Sequence, residues 1–332
     1  MHTPLLPCEQ SRGAGSTGLL AGSRPAFRAV ARVLATSAAL AVTVALAGCA
    51  PSADDRPLVV VTTNILGDVV QNVVGDEAEV LVLMRPNSDP HSFEISAQEA
   101  ARIQDADLLV SNGLGLEEGL QKHIDSAEAA GVPTLAAGDV IDVLAYSSGD
   151  SEGAEDPHFW TDPARTLDVV DAVADSVTDN VDGVDADTIA ANAAAYRADV
   201  EEVDAEMAAA FAEIPAETRN LVTNHHVFGY LAERFGFTVV GAVIPSGTTL
   251  AAPSASDLRD LVEAIEQAGV PTIFAESSQP DRLVQVLAEE AGVDVAVVEL
   301  FTESLSEAGE GAEDYLTMMR TNTDRIATGL SP

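Results

Sequence analysis

The sequence predicts an α/β protein made of two doubly wound (βα) domains joined by one long backbone helix, with its site in the interdomain cleft. Three observations predict this. Short β-branched runs alternate with stretches of helical periodicity, the pattern of a parallel sheet covered on both faces. The alternation stops near Tyr146, gives way to an Ala-rich helical stretch from Asp185 to Ile214, and restarts at Asn220. The length, 332 residues of which 47% are hydrophobic, allows two domains of ordinary size, each with its own core.

Residues 58–63 form a β-branched run between Pro57 and Asn64 and read as a buried parallel strand. In 65–75 the apolar positions Ile65, Leu66, Val69, Val70, Val73 and Val74 follow helical spacing, closed by Gly75. A strand is expected over 78–84 and a loop holding His91 over 85–95. A helix opens at Ser96, with Glu99 at the capping-box position. A strand at 107–111, a helix at 117–130 and a short strand near Thr134 follow. Residues 146–155 are polar and acidic and read as a surface loop. Asp162-Pro163 then supplies an N-cap and a first-turn proline for a helix reaching about Val181.

The stretch 185–214 contains no Gly or Pro and carries Ile189, Ala193, Tyr196, Val200, Val203 and Met207 as one narrow apolar stripe. At ~1.5 Å per residue it runs about 40 Å, long enough to lie along two domains, although the spacing also suits a helix packed inside one. Strands at 220–223, 238–244, 272–275 and 295–298 then alternate with helices at 226–235, 254–268, 280–291 and 314–328. The expected division is 58–183, a linker helix 184–215, and 216–332.

Ahead of these, a basic patch from Arg24 to Arg32 precedes an uncharged apolar run over 33–47 and then Leu46-Ala47-Gly48-Cys49. The run is short of the ~20 residues that a spanning helix needs. Residues 1–48 therefore read as a secretory signal of lipoprotein type, cleaved before a lipidated Cys49, and 49–57 as a flexible tether. With more than one acyl chain, the anchor holds the protein at the outer face of the cell membrane. Cys8 and Cys49 are the only cysteines, which excludes a disulfide framework and a Cys-based zinc site.

The formal net charge is −38, from 16 Lys plus Arg against 54 Asp plus Glu. Loss of residues 1–48 removes four arginines and one glutamate and takes it to −41. Nucleic-acid binding depends on cationic neutralisation of phosphates, so it is excluded as a function class. Attraction of cations and simple solubility both remain compatible with the charge.

One rare tripeptide occurs twice, as Asp89-Pro90-His91 and Asp156-Pro157-His158. Proline fixes its own φ and drives the preceding residue into an extended conformation, so each imidazole sits on a stiff loop. Either copy alone is compatible with an exposed turn; together, with His225 directly after a strand, they favour a metal. Ligands of doubly wound folds gather at the carboxyl ends of the strands, so a cleft between the domains can hold all three histidines.

Several ordered motifs carry a family resemblance: Asp89-Pro90-His91-Ser92-Phe93-Glu94, Asn112-Gly113-Leu114-Gly115-Leu116-Glu117, Asp156-Pro157-His158-Phe159-Trp160-Thr161-Asp162-Pro163, Asn224-His225-His226-Val227-Phe228-Gly229-Tyr230 and Phe274-Ala275-Glu276. On these the chain, over essentially 58–330, resembles the cluster A-I solute-binding proteins of zinc and manganese ABC importers. The resemblance implies His91, His158 and His225 as metal ligands. His226 points about 100° away from its neighbour and is not expected to share the ion. The fourth ligand falls on Glu303 in the segment Phe301-Thr302-Glu303-Ser304-Leu305, where members usually carry aspartate; Glu299, Glu307 or water are the alternatives. Glu276 either supports a ligand or caps the next loop.

Three imidazoles and one carboxylate suit Zn2+, with Mn2+, which prefers more oxygen donors, as the alternative. Because 146–155 has no histidine, the resemblance places the chain in a zinc branch lacking the His-rich loop. Asp150, Glu152 and Glu155 are either simply solvated or meet a metallochaperone. The implied partners are an ABC permease and its ATPase, and the receptor itself is expected to be a monomer without enzymatic activity. A zinc hydrolase would need an open metal position and a base such as Glu303 or Glu276, and the chain has no His-Glu-x-x-His helix. No residue pattern argues for an adhesin. The long helix should resist wide hinge motion, leaving a small change around second-domain loops.

Overall fold

The structure, a computed structural model, describes residues 56–279, 282–290 and 295–331, which belong to one compact unit starting at Arg56. The expected signal over 1–48, Cys49 and nearly all of the tether lie outside the described residues.

Two four-stranded parallel sheets repeat one topology. The first has the order β2-β1-β3-β4, with β1 (Leu58–Val61), β2 (Glu79–Val82), β3 (Leu108–Ser111) and β4 (Thr134–Ala136). The second has the order β6-β5-β7-β8, with β5 (Asn220–Thr223), β6 (Thr238–Ala242), β7 (Thr272–Glu276) and β8 (Ala296–Leu300). In the first, Val59 pairs with Val80 on one side and Leu108 on the other. Strands β1, β3 and β7 are buried throughout, which is why they read as unbroken apolar runs. Each order reverses direction at its centre, between β1 and β3 and between β5 and β7, and the carboxyl ends there open a crevice.

Around the first sheet lie α1 (Asn64–Val74), α2 (Ala97–Gln104), α3 (Gln121–Ala130) and α4 (Pro163–Asn180). Ser96 caps α2 as expected: its hydroxyl accepts the Glu99 amide at 3.2 Å, and the Glu99 carboxylate accepts the Ser96 amide at 2.6 Å. Ser96→Ala is expected to cost about 1 kcal/mol, read as a lower urea midpoint with an unchanged slope. Helix α3 begins later than the expected 117. Gly113, Leu114 and Gly115 all take positive φ, and Glu117 is buried, turning its carboxylate back onto the Asn112 amide at 2.7 Å and the Thr62 hydroxyl at 2.6 Å. At α4 the Asp162 side chain accepts the Ala164 amide at 2.9 Å, as the Asp-Pro signal requires.

Helix α5 (Ala186–Ala212) has 27 residues and packs on α1 and α4 of the first domain and on α9 (Tyr315–Leu330) of the second. It is thus the connecting backbone helix, with the expected stripe buried and extended by Phe211. The second domain also carries α6 (Gly229–Phe235), α7 (Ala255–Ala268) and α8 (Arg282–Glu290). Helix α6 begins three residues after the expected 226. The backbone at 225–226 is tied sideways: the His225 carbonyl accepts the Thr223 hydroxyl at 2.6 Å, and the His226 amide donates to the Ser246 carbonyl at 3.1 Å. The expected ends of α8 at Pro280 and Ala291 lie outside the described residues.

The expectation of a separate core for each domain needs correction. One hydrophobic cluster runs from Val59 and Val61 through α1, α4 and α5 to Leu221, Phe274, Leu300 and α9. Only the outer faces have clusters of their own, one around Leu58, Val60 and Leu109 and one around Val222, Val243 and Ile273. The period-two alternation of each strand sends alternate residues to the shared and the private side. Polar bonds reinforce the union: the Trp160 indole donates to the Thr302 carbonyl at 2.8 Å, the Leu305 amide donates to the Asn64 side chain at 3.0 Å, and Asp68 accepts both the Tyr315 amide and the Tyr196 hydroxyl at 3.1 Å.

Candidate metal centre

The first sheet delivers His91 from the loop after β2 and His158 from the segment before α4. The second delivers His225 two residues after β5 and Glu303 three residues after β8. The structure brings all four together. One potential ligand atom from each lies within 4.8 Å of the others, and all four residues are buried. Their three Nε2 atoms converge on Glu303 Oε1, at 2.9 Å from His91 and 3.1 Å from both His158 and His225. His158 Nε2 lies 3.4 Å from each of the other two Nε2 atoms. A tetrahedral shell with bonds of ~2.0–2.2 Å sets neighbouring donors about 3.3–3.6 Å apart, so this donor set fits a small divalent cation with little rearrangement. Among the described residues it is the only such group.

The two Asp-Pro-His copies share one local device. In each, the aspartate Oδ1 accepts the amide of the histidine two residues on, at 2.8 Å in Asp89–His91 and 3.0 Å in Asp156–His158. This side-chain turn, together with the proline, fixes the loop before any metal arrives. Beyond that the copies diverge. Asp156 Oδ1 also faces His158 Nδ1 at 2.8 Å, with the Tyr146 hydroxyl at 3.2 Å, which orients the ring. His91 Nδ1 has no partner, and neither does Glu303 Oε2.

Glu276 lies beside His225, its Oε2 3.3 Å from Nδ1, close enough for charge attraction but not aligned as a hydrogen bond. It is held by the Asn224 side chain at 3.4 Å and by the Ser278 hydroxyl. It therefore supports a candidate ligand. Glu299 and Glu307 are exposed and outside the group, and His226 also stays out of it. Trp160 lies beneath His158, ring centroids 5.3 Å apart, as its position two residues on suggests.

Burial disfavours charge on His158, but Asp156 and Glu303 outweigh it and hold its pKa above the ordinary histidine value. His225 is raised well above it in the same way: burial opposes the charge, and Glu303 and Glu276 overcome it. Burial pushes Glu303 up, yet the adjoining imidazoles, His225 foremost, hold it well below the usual carboxylate range. Glu276 is pushed up to about 7, by burial first and then by the negative charge of Glu303.

The loop 146–155 is more than the solvated surface loop expected. Its acidic residues Asp150, Glu152 and Glu155 are exposed, but Tyr146 is buried and the arm docks on the second domain. The Asp150 amide donates to the Pro245 carbonyl at 2.7 Å, and the Gly247 amide to the Ser151 hydroxyl at 3.0 Å. Sequence reading missed Tyr146 as a histidine partner; its place at the edge of an acidic loop gave no signal.

Two parallel-sheet domains around a long helix, with a buried three-imidazole, one-carboxylate group where they meet, define an extracytoplasmic metal-binding receptor of ABC metal transporters. The chain belongs to the family described as zinc-uptake complex component A, periplasmic, whose model matches residues 59–329. It is 30% identical over 281 residues to the manganese-binding lipoprotein MntA of Halalkalibacterium halodurans, covering 84% of this chain and 91% of that protein. It is also 30% identical over 288 residues to the iron-binding protein YfeA of Yersinia pestis, covering 86% and 91%. Among solved structures, the periplasmic zinc binding protein TroA from Treponema pallidum superposes with a TM-score of 0.76 at 30% identity, over 83% of this chain and 100% of that one. These relatives are named for three different metals, so membership fixes the class of cargo and leaves the ion to the site's own chemistry.

Proposed function

We propose that this protein captures Zn2+ with His91, His158, His225 and Glu303 and delivers it to an ABC permease driven by its ATPase, while lipidated Cys49 tethers it to the outer face of the membrane. The observation that carries this reading is the donor set itself. Three imidazole nitrogens and one carboxylate oxygen stand close to the edge lengths of a tetrahedron, the geometry zinc adopts most readily. A manganese receptor is the second reading, favoured by one feature: Glu303 Oε2 is unpartnered, and a bidentate Glu303 would offer five donors to an ion that prefers more oxygen. Support for a receptor over a hydrolase comes from both candidate bases: Glu276 is engaged with His225, Asn224 and Ser278, and Glu303 stands within the donor set itself. Metal analysis of the purified mature protein, followed by competition between zinc and manganese, tests the proposal. One tightly held equivalent of zinc that manganese does not displace is expected; preferential retention of manganese would overturn it.

The site's charges also set a pH dependence. Zinc needs bare imidazole nitrogens, and His158 and His225 keep their protons above the ordinary histidine range in the metal-free site. Raised pKa values extend proton competition to higher pH, so loading should release protons at neutral pH. Zinc affinity should therefore keep rising with pH well above ~6.5, the midpoint of a free histidine's titration. Isothermal titration in buffers of different ionisation enthalpy measures the released protons. An affinity that is flat from pH 5 to 7.5 would count against the site.

A further inference from the structure

The second oxygen of Asp89 is not spent on its own histidine. Asp89 Oδ2 accepts the Ser92 hydroxyl at 3.0 Å and, from the other domain, the Thr249 hydroxyl at 2.6 Å and the Gln279 amide at 2.7 Å. Thr249 lies in the loop between β6 and α7, and Gln279 in the loop between β7 and α8. Each leads to the support of another candidate ligand. Two residues before Thr249, the Gly247 carbonyl accepts the Tyr146 hydroxyl at 3.3 Å, and that hydroxyl lies 3.2 Å from His158 Nδ1. Next to Gln279, Ser278 bonds Glu276, which faces His225 Nδ1. Asp89, a residue only 8% exposed, thus joins the loop of the first histidine to the supports of the other two.

Its Asp156 counterpart orients an imidazole directly, whereas His91 Nδ1 has nothing to hold it. Apart from its Nε2 contact with Glu303, the His91 ring therefore depends on its backbone loop, and that loop depends on Asp89. We propose that Asp89 is a positioning residue that latches the His91 loop to the 249 and 279 loops, and that this latch sets how fast the metal leaves the closed site. The inference rests on the proposed zinc reading. Bonds to a buried carboxylate are strong and contribute only while the two domains' loops are together, so losing them should act on dissociation more than on encounter.

The test uses substitutions at the far partners, whose side-chain hydrogen bonds go to Asp89 and not to a candidate ligand: Thr249→Val and Gln279→Met, each close in shape but without the donor. In the full mature chain, zinc release to excess chromogenic chelator should quicken about tenfold or more in the double variant, since each lost bond is to a charged acceptor. The association rate, followed by Trp160 fluorescence, and the unfolding temperature of the metal-free protein should stay near wild type. Thr249→Ser, which restores the hydroxyl, should return release to the rate of Gln279→Met alone when combined with it. Wild-type release in a double variant that binds one equivalent of zinc would overturn the latch and leave the zinc reading standing. So would equal release from the Ser and Val forms, because the hydroxyl would then be irrelevant. Absence of zinc binding by the wild type would overturn both.

Discussion

Replacing Glu303 with alanine is expected to weaken zinc binding by at least about a hundredfold, because loss of an outer hydrogen-bond partner alone typically costs 10–100-fold and Glu303 stands at the centre of the donor set. Its Oε1 lies within 3.1 Å of three imidazole nitrogens, and without it those rings face one another with no anionic partner among them. Chelator competition, with Trp160 fluorescence as an independent readout, measures the loss. Glu303→Asp sharpens the test. Aspartate places its carboxylate one methylene further back on the same backbone, so this variant should bind less tightly than wild type and more tightly than alanine. Full affinity in Glu303→Ala would remove Glu303 from the site and leave water as the fourth donor.

Truncation of Phe211 to alanine should destabilise the protein by about 3–5 kcal/mol, the usual range for a fully buried aromatic side chain. Phe211 ends the buried stripe of α5 and stands edge-on to Phe235 and Phe237, with ring centroids 5.2 and 4.9 Å away. It belongs to the cluster that continues into the first domain. The loss should therefore appear as one cooperative transition shifted to lower denaturant, and not as early melting of the second domain alone. Two resolved transitions would contradict the shared core. The same continuity explains why wide hinge motion is not expected on loading: separating the domains would expose apolar surface along the length of α5.

Much of this architecture is legible in the chain. The Ser96 and Asp162 caps, the buried parallel strands and the stripe from Ile189 to Met207 depend on neighbours within a turn or two, and local spacing encodes them. Helix starts at 117 and 226 misled because the side chain of Glu117 and the backbone of His225 and His226 find partners outside their own segment. The repeated Asp-Pro-His also marked its loops correctly, since the bond from aspartate to the histidine amide spans only two residues. Nothing in the sequence showed that the two aspartates would use their remaining capacity differently.

By itself, then, the sequence determined two βα domains, the helix between them, and which histidines stand on stiff loops at strand ends. Tertiary structure alone decided that three Nε2 atoms meet at one oxygen of Glu303, that Glu299 and Glu307 stay in solvent, and that the domains share a core. It also decided that Asp89 faces Thr249 and Gln279 across the cleft. The physical reason is range: backbone preferences and side-chain turns act over a few residues, whereas the site is an intersection of four loops whose spacing is set by how two sheets pack against one helix.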